Sequence, residues 1–182
     1  MIFQNGWFPV GVVMAAWPVL LVIFALCAKQ AWVSVSQHRS AFLVAAVMLP
    51  LAWSLNASPE SGQLAGMSYH LLALNLTALM LGTSAAFCLG VLLFFPYLWL
   101  WGDWHMFPIN ALSVLLPPLL VNLGFRPWVS RLPANIFIFI FLNGFWAAAV
   151  GMVFTGVVLV SSLAWADVFD TAVLWNTAFP VF

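Results

Sequence analysis

The sequence predicts an all-α fold: a polytopic transmembrane helix bundle of about six spans with its N-terminus outside. Three observations predict it. Of the 182 residues, 66% are hydrophobic and only 4% are charged, against ~45–50% and ~25% in a soluble domain. The apolar residues gather into runs near the ~20-residue length that carries a helix across ~30 Å of hydrocarbon. The few charges stand between those runs and are sorted by sign.

The first span is read as Pro9 to Ala28, closed by Lys29. Met1 to Phe8 lacks the basic n-region of a signal peptide and no small-residue cleavage site follows the run, so this span is expected to be retained. The second is Ala41 to Asn56, after His38 and Arg39. The third is Gly66 to Leu81, after Glu60, and a tight Gly82-Thr83 turn leads to the fourth, Ser84 to Trp101. Pro108 to Leu123 is the fifth, after Asp103. Asn135 to Trp165 is the sixth, after Arg126 and Arg131, and is long enough to tilt or to emerge. Ile136 to Phe141 alternates Ile and Phe like a strand, yet a lone strand in lipid would leave its backbone groups unpaired, so a helix is expected. No repeat and no low-complexity linker divides the chain, and residues 1–182 are read as a single transmembrane domain.

With six spans, Lys29, Arg39, Arg126 and Arg131 fall on one side, which the positive-inside rule makes cytoplasmic, and all four acids fall on the other. Trp7, Trp53, Trp99, Trp101, Trp104, Trp128 and Trp165 lie near span ends, where an amphipathic ring suits the headgroup region; Trp17 and Trp146 are read as packing residues. Ala147, Gly151 and Thr155 form a small-residue ridge that lets another helix approach closely. Pro18, Pro50, Pro96 and Pro117-Pro118 interrupt four spans, each removing a backbone donor.

Several function classes are excluded. Zero formal net charge and no basic run remove the footprint of nucleic-acid binding, leaving membrane lipid as the surrounding partner. Cys27 and Cys88 sit in apolar runs without CxxC spacing and are read as packing residues. HExxH, GxSxG and GxGD are missing, as are nucleotide-binding motifs, so a membrane enzyme is the weaker class. No charged residue stands at the centre of a span, which argues against proton pumping through buried carboxylates.

A small polar set remains: His70, Asn75 and Thr77 in the third span, Asp103 and His105 outside the fourth, Asn110 opening the fifth and Asn143 in the sixth. His70 lies near the outer end of its span, where a neutral imidazole can ligate a metal through one nitrogen. It can equally be an interfacial histidine bonded to water or to a neighbouring helix. Thr77 falls near the face of His70 on helix geometry and Asn75 is rotated away. Asp103-Trp104-His105-Met106 offers hard and soft donors together, or is simply a solvated loop. Bis-histidine haem is not expected, because His38 is on the opposite side and His105 is in a loop.

Ser68-Tyr69-His70-Leu71-Leu72 followed by Leu79-Met80-Leu81-Gly82 resembles the HLLG-type segment of the energy-coupling-factor permeases of the CbiM kind, the cobalt/nickel permease family. Asn110-Ala111-Leu112 with Leu116-Pro117 resembles their next span. Leu132-Pro133-Ala134-Asn135-Ile136-Phe137 with Asn143-Gly144-Phe145 resembles the start of the one after. The resemblance covers about Gly66 to Val160 and is nearest to a compact proteobacterial branch. It implies a bacterial inner-membrane permease that captures Co²⁺ or Ni²⁺ as substrate from outside, with no permanently bound cofactor and no enzyme activity of its own. It also implies a coupling transmembrane subunit and ATP-binding subunits as partners, and His70 as a metal ligand. Met1-Ile2-Phe3-Gln4 replaces the family's Met-His start, and Ala73 replaces the glycine after His-Leu-Leu. The chain stops at Phe179-Pro180-Val181-Phe182, where relatives continue into a Phe-Pro-Glu segment and a final helix, so a short or truncated member is expected. The alternative is a non-catalytic structural or assembly subunit of a larger membrane complex, in which His70 only packs or hydrogen-bonds.

Overall fold

The computed structural model describes residues 3, 5–54, 63–64, 67–68, 74–101, 104–133 and 135–179. Pro9, with φ fixed near the value a helix requires, precedes α1, which runs Val10–Gln37. At 1.5 Å per residue this helix is about 42 Å long, more than the ~30 Å of a hydrocarbon core. The expected end at Ala28 is therefore too early. Lys29 does not stop the helix, because backbone bonding continues through Gln30, Ser34 and Ser36 at an end where polar side chains can meet headgroups and water. His38 closes α1 by donating its N–H to the Ser34 carbonyl at 3.0 Å. α2 (Arg39–Ser54) starts at the next residue.

Gln63–Leu64 (β1) and Met67–Ser68 (β2) pair as a two-residue antiparallel ladder, Gln63 opposite Ser68 and Leu64 opposite Met67. The helix expected from Gly66 thus does not include Met67 and Ser68, whose backbone is paired across a ladder instead. In the described residues α3 covers Leu74–Leu81, about 12 Å of rise. Gly82 makes the turn to α4 (Thr83–Trp101) with φ +84°, a conformation that costs a glycine nothing, and its N–H returns to the Ala78 carbonyl at 2.8 Å. Ser34 of α1 donates to the Leu81 carbonyl at this same helix end.

A 3₁₀ turn (Trp104–Met106) leads into α5 (Phe107–Val129), with Pro108 in its first turn. The last long rod has three parts: α6 (Ile136–Ile138), a π-helical segment (Phe139–Trp146) and α7 (Ala147–Trp165). The Ile/Phe alternation is helical, as the cost of an unpaired strand in lipid requires. After it Asp170 caps α8 (Thr171–Val173), accepting from the Ala172 N–H at 2.8 Å, and a short π turn follows (Leu174–Ala178).

Four described helices are long and apolar enough to cross a membrane: Val10–Gln37, Thr83–Leu100, Trp104–Val129 and Phe139–Trp165, with Arg39–Trp53 as a shorter apolar helix. α5 is the hub, packed against α7, α4, α1 and α3. The ridge Ala147, Gly151, Thr155 is buried against it. A Cβ on Gly151 would stand 3.3 Å from Cα and Cβ of Pro118, so the two helices meet backbone to backbone there. Outward, Met14, Leu26, Trp32, Leu92, Phe137 and Phe154 are among many large apolar side chains left exposed, the surface of a protein whose solvent is lipid.

Two tryptophans depart from the expectation. Trp53 is 2% exposed and packs edge-on to Phe94 (5.6 Å) and Tyr97 (5.9 Å), a core residue instead of a headgroup anchor. Trp146, read as packing, is 46% exposed. Each helix runs through its prolines, leaving the carbonyls four residues earlier, such as Ser113, Val114 and Leu123 in α5, without their intrahelical donors.

Candidate functional site

The bundle has two chemically distinct ends. The ends of α1 and α5, the start of α2 and the α3–α4 turn share one end with His38, Arg39, Arg126 and Arg131. Asp167 and Asp170, beyond α7, lie at the other, where α5 begins. His70 and Asp103 lie outside the described residues, as does Glu60.

At the acid-bearing end the described chemistry centres on Asn110. Its side chain is 0% exposed and clasps the backbone of Phe3 from both sides. Oδ1 accepts the Phe3 N–H at 2.6 Å and Nδ2 donates to the Phe3 carbonyl at 3.2 Å. A carboxamide offers one acceptor and one donor in the pattern of a strand edge, so it satisfies both backbone groups of a residue that no helix includes. The Phe3 ring is fully buried, edge-on to Phe8 at 5.0 Å and tilted against Trp7 at 6.3 Å, and Trp7 meets Phe169 edge-on at 5.5 Å. Gly6, at φ +88°, bends the segment between these anchors. The N-terminal segment is thereby fixed against the start of α5.

α3 begins deeper. Leu74 and Leu115 both approach Gly90, where an added Cβ would meet each at 3.4 Å. Asn110 stands five residues before Leu115, about 7.5 Å along α5. Asn75, in the first turn of α3, lies where α5 meets α7, its Nδ2 3.5 Å from the position of a Gly151 Cβ. Its Oδ1 is buried without a hydrogen-bond partner among the described residues. Thr77 is buried on the same short helix.

The other expected residues separate. His105 is exposed and lies 3.9 Å from the Trp104 ring, whereas Met106 turns into the core, so the two donors do not converge. Among the described residues no three His, Cys, Asp or Glu side chains are grouped to hold a metal ion. Asn143 belongs to the opposite end, on the π-helical segment, in the wall of a cavity shared with Asn122 and Arg126. The sequence reading omitted Asn122, although its spacing of four from Arg126 puts both on one helix face.

The family described as the cobalt uptake substrate-specific transmembrane region, CbiM, matches residues 3–182. The chain belongs to this family. The match is wider than the expected Gly66 to Val160: it takes in the clasped Phe3, α1 and α2 as well as the region after Val160. A CbiM protein is a transmembrane component of cobalt uptake, which agrees with the apolar helices, and Co²⁺ is accordingly its substrate class. No curated protein and no solved structure matches this CbiM chain.

Proposed function

We propose that this chain is the substrate-capture permease of a divalent transition-metal uptake system, taking Co²⁺ or Ni²⁺ from outside with His70 as a ligand. Its action depends on a coupling transmembrane subunit and ATP-binding subunits, and its place is the bacterial inner membrane. In this reading the whole chain forms one transmembrane domain, with six spans and the acid-bearing end outward. The observation that carries it is the clasp of Phe3 by Asn110 in a chain of the cobalt-uptake family. The clasp fixes the N-terminal segment at the end of the bundle from which a cation is attracted by acids. His70 precedes Leu74 by four residues, a reach of at most about 14 Å. A neutral imidazole nitrogen suits Co²⁺ and Ni²⁺, and buried amide oxygens such as Asn75 Oδ1 add neutral polarity without a charge in the membrane.

One observation favours a structural or assembly subunit instead: Ile2 stands where the family's Met-His start has an imidazole, so the N-terminal segment supplies fewer donors. Metal binding by the purified protein separates the readings. The wild type is expected to bind Co²⁺ or Ni²⁺, with affinity reduced at least about tenfold in His70→Ala, Cu²⁺ and Zn²⁺ being titrated alongside. Equal binding by both proteins, or by neither, overturns the capture role. Co-purification of coupling and ATP-binding subunits supports transport, whereas recovery within an unrelated membrane assembly supports the alternative.

A further inference from the structure

At the cation-bearing end a cavity of about 570 Å³ lies between the end of α1, the α3–α4 turn, α5 and the π-helical segment. A neighbouring hollow of about 320 Å³ shares Arg126, Phe139 and Asn143 with it. Two buried amides form part of the wall, Asn122 at 4% and Asn143 at 5% exposure. Asn122 Nδ2 and Asn143 Oδ1 have no hydrogen-bond partner among the described residues, so one wall holds an unmet donor and an unmet acceptor. Leaving such groups buried and unpaired is costly, which makes a polar ligand favourable there. Both residues line the cavity, and the amide torsion χ2 is broad enough for their carboxamides to reorient.

Arg126 stands exposed on the same cavity, and both described carboxylates, Asp167 and Asp170, are at the far end of the bundle. The π-helical register presents Asn143 here, and its neighbour Phe139 is exposed on the rim with Met80 and Leu123. The cavity therefore joins a polar wall and an exposed guanidinium to a greasy outer flank. A ligand that fits all of this carries a negative charge for the guanidinium, an acceptor for Asn122, a hydroxyl donor for Asn143 and apolar tails for the rim. An acidic peptide or free phosphate satisfies the first two requirements and leaves the flank unused.

We infer that this cavity binds the headgroup of an anionic phospholipid bearing free hydroxyls, of the phosphatidylglycerol type, with its acyl chains along Met80, Leu123 and Phe139. The site is independent of metal capture at the opposite end. The test is native mass spectrometry of the full chain extracted from phosphatidylcholine vesicles with and without phosphatidylglycerol. The wild type is expected to retain phosphatidylglycerol and not phosphatidylcholine, with retention reduced about tenfold in Arg126→Gln and in Asn143→Leu and largely preserved in Arg126→Lys. Arg126 is exposed, so its variants fold whatever Asn143→Leu does. Equal retention of the two lipids, or undiminished retention in Arg126→Gln, overturns the assignment. So does displacement of the lipid by inorganic phosphate alone, which would make the site a free-anion site. A protein that co-purifies in place of lipid and is lost in Arg126→Gln overturns it too.

Discussion

Asn110 shows how much a single amide can hold. Its two hydrogen bonds meet the backbone of a residue 107 positions away, and both residues are fully buried. In Asn110→Leu both Phe3 groups stay buried without partners, a cost on the order of 1–3 kcal/mol for each. The expected result is faster hydrogen exchange in the segment around Phe3 to Phe8, with α4, α5 and α7 still protected. Unchanged exchange would show that the aromatic packing of Phe3, Trp7 and Phe8 fixes the segment alone. Nothing local in the sequence announces this contact. Asn110 was visible as a polar residue opening a span, but its partner is a main-chain unit with no side-chain signature.

At the level of helices, the small-residue ridge of α7 decides how closely it meets α5. Gly151→Ala forces Pro118 to yield by a few tenths of an ångström and is expected to destabilise by about 1–3 kcal/mol. Gly124→Ala, with nothing within 4 Å of its Cβ position, is expected to stabilise by about 0.5–1 kcal/mol through helix propensity. Unfolding followed by tryptophan fluorescence in detergent checks the pair, and a Gly151→Ala protein as stable as the wild type would refute the close contact. This ridge was legible because four-residue spacing maps directly onto a helix face. The facing of Trp53 and Trp146 was not, since α-helices apolar on all sides carry little periodic signal about which side meets protein and which meets lipid. The π-helical segment was equally hidden. Its wider hydrogen-bond register changes where Asn143 points without altering composition, and the strand at Met67–Ser68 takes up the start of a run whose hydropathy reads as continuous.

For the molecule as a whole, lipid as the solvent was readable from composition, and the sorting of charge to opposite ends is borne by His38, Arg39 and Arg126 against Asp167 and Asp170. Which end faces the cytoplasm is a matter for labelling. In a background lacking Cys27 and Cys88, Ser40→Cys and Thr171→Cys are expected to react in opposite compartments, with Thr171→Cys modified by an impermeant maleimide added outside intact cells. Modification of Ser40→Cys from outside would reverse the orientation.

The clasp between Phe3 and α5 also sets an order of events during biosynthesis. A ribosome adding roughly 5–20 residues per second delivers Asn110 about 5–20 s after Phe3, so the leading segment must wait without this clasp while α1 to α4 are made. Closure of the acid-bearing end is therefore a late step of assembly, reached only once the central helix has arrived.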